Sequence, residues 1–133
     1  MLPSLLLDTH VLVRWLFEPR RLTREQARTL ERAVRRAEPL ALSAISLVEI
    51  AVLYADGRLR LKVALDEFFK ELETSPVFRI LPLTCQVASE VAPLASLRDP
   101  ADRAIVATAR VERLRLVTSD QRIIASKLVP VVV

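Results

Sequence analysis

Leu5-Leu6-Leu7-Asp8-Thr9-His10 joins a short, wholly apolar run to an acid and then to an amphipathic segment. Three consecutive leucines, with no polar alternation, suit a strand covered on both faces, as in parallel sheets flanked by helices. Similar runs recur at about 39–43, 78–82, 115–118 and 128–132, beside the first at 4–8. Between them, apolar residues at helical spacing predict helices at roughly 9–17, 23–37, 45–55, 61–74, 84–96, 100–113 and 120–126. This alternation predicts an α/β fold: a three-layer α/β/α domain with a mainly parallel central sheet of about five strands. The stretches 9–37 and 45–74 each hold two helices, as crossovers between parallel strands allow, and these should run right-handed. Local signals agree. Thr23 with Gln26 forms a capping box, Asp99-Pro100 places a cap before a first-turn proline, and Gly57 closes the third helix.

Composition narrows the class. A chain of 133 residues predicts one domain spanning 1–133, and 52% hydrophobic residues suffice for a core. With Gly57 as its single glycine, the chain cannot build a phosphate-cradling P-loop or a dinucleotide fingerprint. Cys85 stands alone, which excludes an internal disulfide framework or a cysteine zinc cluster and suits a reducing cytosol. It reads as a buried small hydrophobe. No apolar run is long enough for a signal peptide or a membrane helix, so a soluble, cytoplasmic protein is expected. Net charge is +4, carried by seventeen Arg and three Lys. The planar guanidinium fork suits phosphate, so the balance permits a nucleic-acid partner without requiring one.

The acids carry the functional reading. In open α/β sheets, ligands bind beyond the carboxyl ends of the strands. Asp8 follows the first strand there, and Asp120 follows Leu116-Val117-Thr118-Ser119, so both point to one rim. Glu49 lies in the apolar helix Ser46-Leu47-Val48-Glu49-Ile50-Ala51, and Asp102 one turn before Ile105 and Val106. An ionised acid among such neighbours is costly unless paired or bound to a cation. Taken singly, Asp8 and Asp120 could cap helices, Asp102 could complete a cap with Asp99, and Glu49 could pair with an arginine. Together they form an all-oxygen set that selects hard cations such as Mg²⁺ or Mn²⁺.

At these residues the chain resembles the PIN-domain family, and within it the VapC-type toxin ribonucleases of type II toxin–antitoxin pairs. The matching blocks are Leu6-Leu7-Asp8-Thr9-His10, Ser43-Ala44-Ile45-Ser46 running into Glu49-Ile50-Ala51, Asp99-Pro100-Ala101-Asp102-Arg103, and Leu116-Val117-Thr118-Ser119-Asp120. The resemblance implies a Mg²⁺- or Mn²⁺-dependent endoribonuclease whose metal-binding and catalytic acids are Asp8, Glu49, Asp102 and Asp120. Asp8 and Asp102 would be the main ligands, and Asp120 matches the family's most variable acid. It also implies a VapB-like antitoxin as partner, with RNA as substrate, and a homodimer. Two departures stand out: Ser96-Leu97-Arg98 replaces a His common before the Asp-Pro pair, and Val48 replaces a Trp.

Other residues read more plainly. Thr9 could hold a ligand through its hydroxyl, His10 reads as structural with RNA contact as the alternative, and Trp15 and Phe17 read as core or dimer contacts. Leu53, Tyr54, Leu61, Leu65, Phe68 and Phe69 are expected to leave an apolar surface for a partner helix. Two rival readings stay open: a non-catalytic RNA-binding module with a structural cation, and a receiver-like phosphotransfer domain. The second wants an acceptor Asp after a middle strand, where this chain has Leu42-Ser43-Ala44 and Pro82-Leu83-Thr84.

Overall fold

Five short strands, β1 (Leu5–Leu7), β2 (Leu40–Ser43), β3 (Phe78–Leu81), β4 (Arg115–Val117) and β5 (Val131–Val132), form one sheet in the computed structural model, which describes all 133 residues. Every pairing is parallel and the order is β3-β2-β1-β4-β5. The chain therefore runs outward from β1 to β3, then returns to the other side of β1 for β4 and β5. Neighbouring connections leave in opposite directions between β1 and β4, which is the switch point where such sheets open a crevice.

Seven helices connect the strands: α1 (Thr9–Phe17) and α2 (Arg24–Arg35), α3 (Ala44–Ala55) and α4 (Leu65–Thr74), α5 (Cys85–Val91) and α6 (Pro100–Glu112), and α7 (Gln121–Ser126). The two long crossings each hold two helices, as expected. Alternate strand residues feed two separate cores. Leu5, Leu7, Leu40, Leu42 and Val117 meet Val11, Leu12, Leu30, Ile50, Phe68 and Leu72 on one face. Leu6, Ala41 and Leu116 meet Val87, Ile105, Val106 and Ile123 on the other. Side chains one residue apart in a strand point to opposite faces, so Leu5 and Leu7 are buried in one core and Leu6 in the other. α6 is the most enclosed helix, with Ala104 through Ala109 all buried.

The capping box at Thr23 and Gln26 forms in both directions, and Asp99 caps α6 through the Ala101 N–H. Gly57 follows the end of α3 with φ of +72°, a conformation that costs glycine little. Three expectations need correction. α5 stops at Val91 rather than reaching 96, because Pro93 offers no N–H and clashes with a continuing turn. α4 starts at Leu65 rather than 61, and its first turn carries Asp66 and Glu67, which suit a helix N-terminus. Cys85 is exposed, since Val87 is the residue that anchors this short helix to the core. A 3-10 turn at Pro19–Arg21 was not foreseen.

Candidate active site at the switch point

β1 ends at Leu7, paired with Val117 of β4, so the next residues of the two strands, Asp8 and Thr118, fall side by side. The Asp8 N–H donates to the Val117 carbonyl (3.0 Å), extending the ladder by one step. The Asp8 carboxylate is then fixed at both oxygens. Oδ1 accepts the Thr9 N–H (2.8 Å) as the cap of α1, and Oδ2 accepts the Thr118 hydroxyl (2.8 Å). Only 4% of Asp8 is exposed. Burial pushes its pKa up and Asp120 adds to this, against the opposing pull of His10, Thr118 and the Thr9 N–H.

Thr118 ties two acids together, because its oxygen also accepts the Asp120 N–H (3.0 Å). Asp120 in turn caps α7 through the Arg122 and Ile123 N–H groups (2.9 and 3.3 Å). Gln26, fully buried on α2, supports this rim by donating to the Thr118 carbonyl (3.3 Å) and to the Ser119 hydroxyl (2.8 Å). From α3, Glu49 accepts the Thr9 hydroxyl (2.5 Å), which also lies 2.7 Å from the Ser46 hydroxyl. Burial raises the pKa of Glu49, with the Thr9 hydrogen bond opposing and Asp8 and Asp99 adding repulsion. Asp102, in the first turn of α6, is pushed up to about 7 by burial and then by Asp99, Asp8, Asp120 and Glu49.

Asp8, Glu49, Asp102 and Asp120 thus line one cleft of about 620 Å³, together with Thr9 and His10. Thr9 does not project freely into it as a ligand, because its hydroxyl is committed to Glu49. His10 has a definite role in the frame. Its Nε2 accepts the Ser119 N–H (2.9 Å), so the ring is neutral with its proton on Nδ1, 3.5 Å from Asp8 Oδ2. Burial lowers the His10 pKa in spite of Asp8, and Arg14 and Arg21 reinforce that direction. The contact with Asp8 is therefore one of dipole to charge rather than an ion pair. Asp99 caps α6 as expected and also presses on Asp102 and Glu49.

The donor set is all oxygen and carries excess negative charge in a half-buried cleft, which fits a hard divalent cation. As the side chains stand, no three His, Cys, Asp or Glu residues close on a single point. Mg²⁺ held by one or two carboxylates and several waters does not require such a closure. Arg14, Arg21 and Arg58 line the same cleft with Glu18, a basic flank that the sequence reading did not single out. Thr118, Ser119, Ser46 and the inner role of Gln26 were also missed; for Thr118, Ser46 and Gln26 the signal is a polar residue fully buried near the acids, and it needs the fold.

The apolar surface lies partly where expected. Tyr54 is exposed, Leu53, Leu61, Leu65 and Phe69 are half-buried, and Phe68 is core. Val48 and Val52 on α3 are more than half exposed and form the apolar wall of the acidic cleft. Trp15, half-buried, packs edge-on against Phe78, whereas Phe17 lies tilted against Phe68 and stays 40% exposed, so it is not a core residue. No helix is long and apolar enough to cross a membrane.

Residues 5–127 match the PIN domain. The chain is 36% identical over 122 residues to Ribonuclease VapC22 of Mycobacterium tuberculosis, covering 90% of this chain and 89% of that one. Its fold resembles that in the FitAcB structure from Neisseria gonorrhoeae, with a TM-score of 0.71, 27% identity and coverage of 97% and 96%. It also resembles that in VapBC2 from Rickettsia felis bound to a promoter DNA fragment, with a TM-score of 0.70, 16% identity and coverage of 98% and 97%. With four acids converging at the switch point of a parallel sheet, and the match running over nearly the whole chain, the protein belongs to the PIN-domain family.

Proposed function

We propose that this chain is a Mg²⁺- or Mn²⁺-dependent endoribonuclease, the toxin of a VapBC-like toxin–antitoxin pair, acting in the cytoplasm as a single PIN-like domain. The observation that carries the reading is the gathering of Asp8, Glu49, Asp102 and Asp120 in one cleft, where burial, with repulsion between carboxylates, raises the pKa values of Asp8, Glu49 and Asp102. The relationship to a named ribonuclease supports RNA as substrate. Asp8 and Asp102 would hold the cation, with Glu49 and Asp120 reaching it through water. A divalent ion there would supply a more acidic water and offset charge on the scissile phosphate. The chain's own groups do the positioning. Thr118 and the Thr9 N–H fix the Asp8 carboxylate, and the Thr9 hydroxyl aims Glu49, which is placed to orient a water for in-line attack. Arg14, Arg21 and Arg58 offer forks for the neighbouring phosphates.

A VapB-like antitoxin fits the same cleft, with an amphipathic segment laid on Val48 and Val52 and a basic side chain directed at the acids. A homodimer is part of the proposal, resting on the exposed apolar residues left beside the core. The deciding experiment incubates purified chain with total RNA in Mg²⁺ or Mn²⁺, and in chelator. Metal-dependent cleavage that disappears in Asp8→Asn is expected. RNA that binds yet stays intact in every metal would instead favour a non-catalytic RNA-binding module.

A further inference from the structure

Arg24, Arg28, Arg32 and Arg35 share the outer face of α2, all exposed. At 3.6 residues per turn they fall within an arc of about 80°, opposite the buried Gln26, Thr29, Leu30 and Ala33. None has a carboxylate within 4.0 Å: the basic side chains that approach a carboxylate that closely are His10 at Asp8, Arg21 at Glu18 and Arg110 at Glu90. Glu25, the acid nearest the start of the stripe, instead accepts the Thr29 hydroxyl (3.4 Å). Arg24, Arg28 and Arg32 follow one another at four-residue spacing, which works against a helix, while Glu25 before Arg28 and Glu31 before Arg35 partly offset it. The stripe is therefore an arc of four guanidinium groups with Glu25 and Glu31 along its two edges, net positive and with no carboxylate closed onto any of its arginines.

Its position connects it to the acidic cleft. Arg21, three residues before Arg24, lines that cleft, and Gln26 bolts the first turn of α2 to the rim carrying Thr118 and Asp120. From Arg24 to Arg35 the helix runs about 16 Å, at 1.5 Å per residue. We propose that this stripe is a docking track for the sugar–phosphate backbone of RNA beyond the cut site, so that the enzyme engages long or folded RNA rather than short fragments. The inference rests on the ribonuclease reading above and deepens it by naming the substrate class. An acidic protein is the weaker occupant, because the one exposed apolar residue of this helix, Val34, lies about 80° outside the arc, whereas a polyanion needs only the guanidinium forks.

The test compares the full chain with the triple variant Arg24→Gln/Arg28→Gln/Arg32→Gln. Glutamine keeps a helix propensity close to that of arginine, and circular dichroism checks that the variant folds. In an Asp8→Asn background, binding of a labelled thirty-nucleotide RNA is followed by anisotropy from 50 to 200 mM salt. Losing three phosphate contacts should make the log–log salt slope shallower by about 2 and weaken binding about tenfold at low salt. In the active protein, KM for the long RNA should rise with kcat unchanged, while a five-nucleotide substrate responds in neither. The corresponding triple Arg→Lys variant should keep the slope. An unchanged slope overturns the proposal, as does an equal loss on the five-nucleotide substrate, or a loss of poly-glutamate binding with RNA binding intact. Long RNA that loses its slope in the variant, yet is never cut by the wild type, would support the track and count against the nuclease reading.

Discussion

Replacing Asp99 with Asn separates the charge at the head of α6 from its capping role. Asn accepts the Ala101 N–H as Asp does, so the helix keeps its start. What changes is Asp102, which loses the strongest of the carboxylate repulsions that, after burial, raise its pKa to about 7. A proton on Asp102 competes with any cation, so metal affinity should track its ionisation. With a pKa near 7, roughly 90% of Asp102 is protonated at pH 6 and roughly 10% at pH 8. The apparent Kd for Mn²⁺ should therefore rise about tenfold from pH 8 to pH 6. Asp8 and Glu49 are shifted in the same direction, both by burial. In Asp99→Asn the midpoint should move to lower pH, with the affinity at pH 8 within about twofold of wild type.

Isothermal titration with Mn²⁺ at each pH makes the measurement. The metal-free chain gives an independent reading with a definite sign. Asp102 binds its proton more tightly when folded, so its contribution to stability is complete below about pH 4 and is lost as the pH rises through about 7. His10 works the other way: its pKa is lowered, so its contribution is present above about pH 6.5 and fades as the pH falls through the lowered value. Asp102 is the group whose contribution is lost within this window, so the metal-free melting temperature should fall between pH 6 and pH 8, and fall less in Asp99→Asn. A metal affinity independent of pH in the wild type would refute the account of Asp102. A large loss of affinity in Asp99→Asn at pH 8 would make Asp99 a ligand in its own right.

Asp8→Asn should abolish RNA cleavage while circular dichroism stays native, because Asn still caps α1 but lacks the charge a hard cation needs. Mn²⁺ at about a hundred times its Kd should stabilise the chain by about 2.7 kcal/mol, or on the order of 10 °C in Tm for a chain this size, and Asp102→Asn should show no such rise. Thr118→Val removes a buried hydroxyl shared by Asp8 and the Asp120 N–H, which should cost about 1–3 kcal/mol in urea denaturation and lower kcat more than it raises KM. On the toxin proposal, expression of the chain alone should arrest growth, and co-expression of a VapB-like partner should relieve the arrest; a harmless chain that is soluble and metal-loaded would sink the toxin assignment.

The architecture was legible because its signals are local. Leu5-Leu6-Leu7 is apolar without alternation, and both faces of that strand are indeed covered. Thr23 with Gln26, Asp99 with Pro100, and Gly57 each mark an end that a single turn of backbone enforces. Misjudged ends have equally local causes, such as Pro93 cutting α5 short. The side of a helix is harder to read: Cys85 looked apolar enough to bury, but α5 is too short to hide more than Val87.

The acids were visible as residue types at strand and helix ends, whereas the groups that aim them were not. Thr118 meets Asp8 across 110 residues only because β4 lies beside β1, and strand order is not written in any one segment. Gln26 carried an obvious local meaning, the capping box, that hid its second one on the buried side of the same helix. The register of β4 against β1 decides the outcome. Leu7 with Val117, and Leu6 with Leu116, are held by opposite cores. A slip of one residue would turn Val117 and Leu116 to the wrong faces and take the Thr118 hydroxyl away from Asp8. The two hydrophobic cores thus set the position of the carboxylate: a substitution such as Leu116→Ala, far from any acid by chemistry, should loosen Asp8 through the strand rather than through the site.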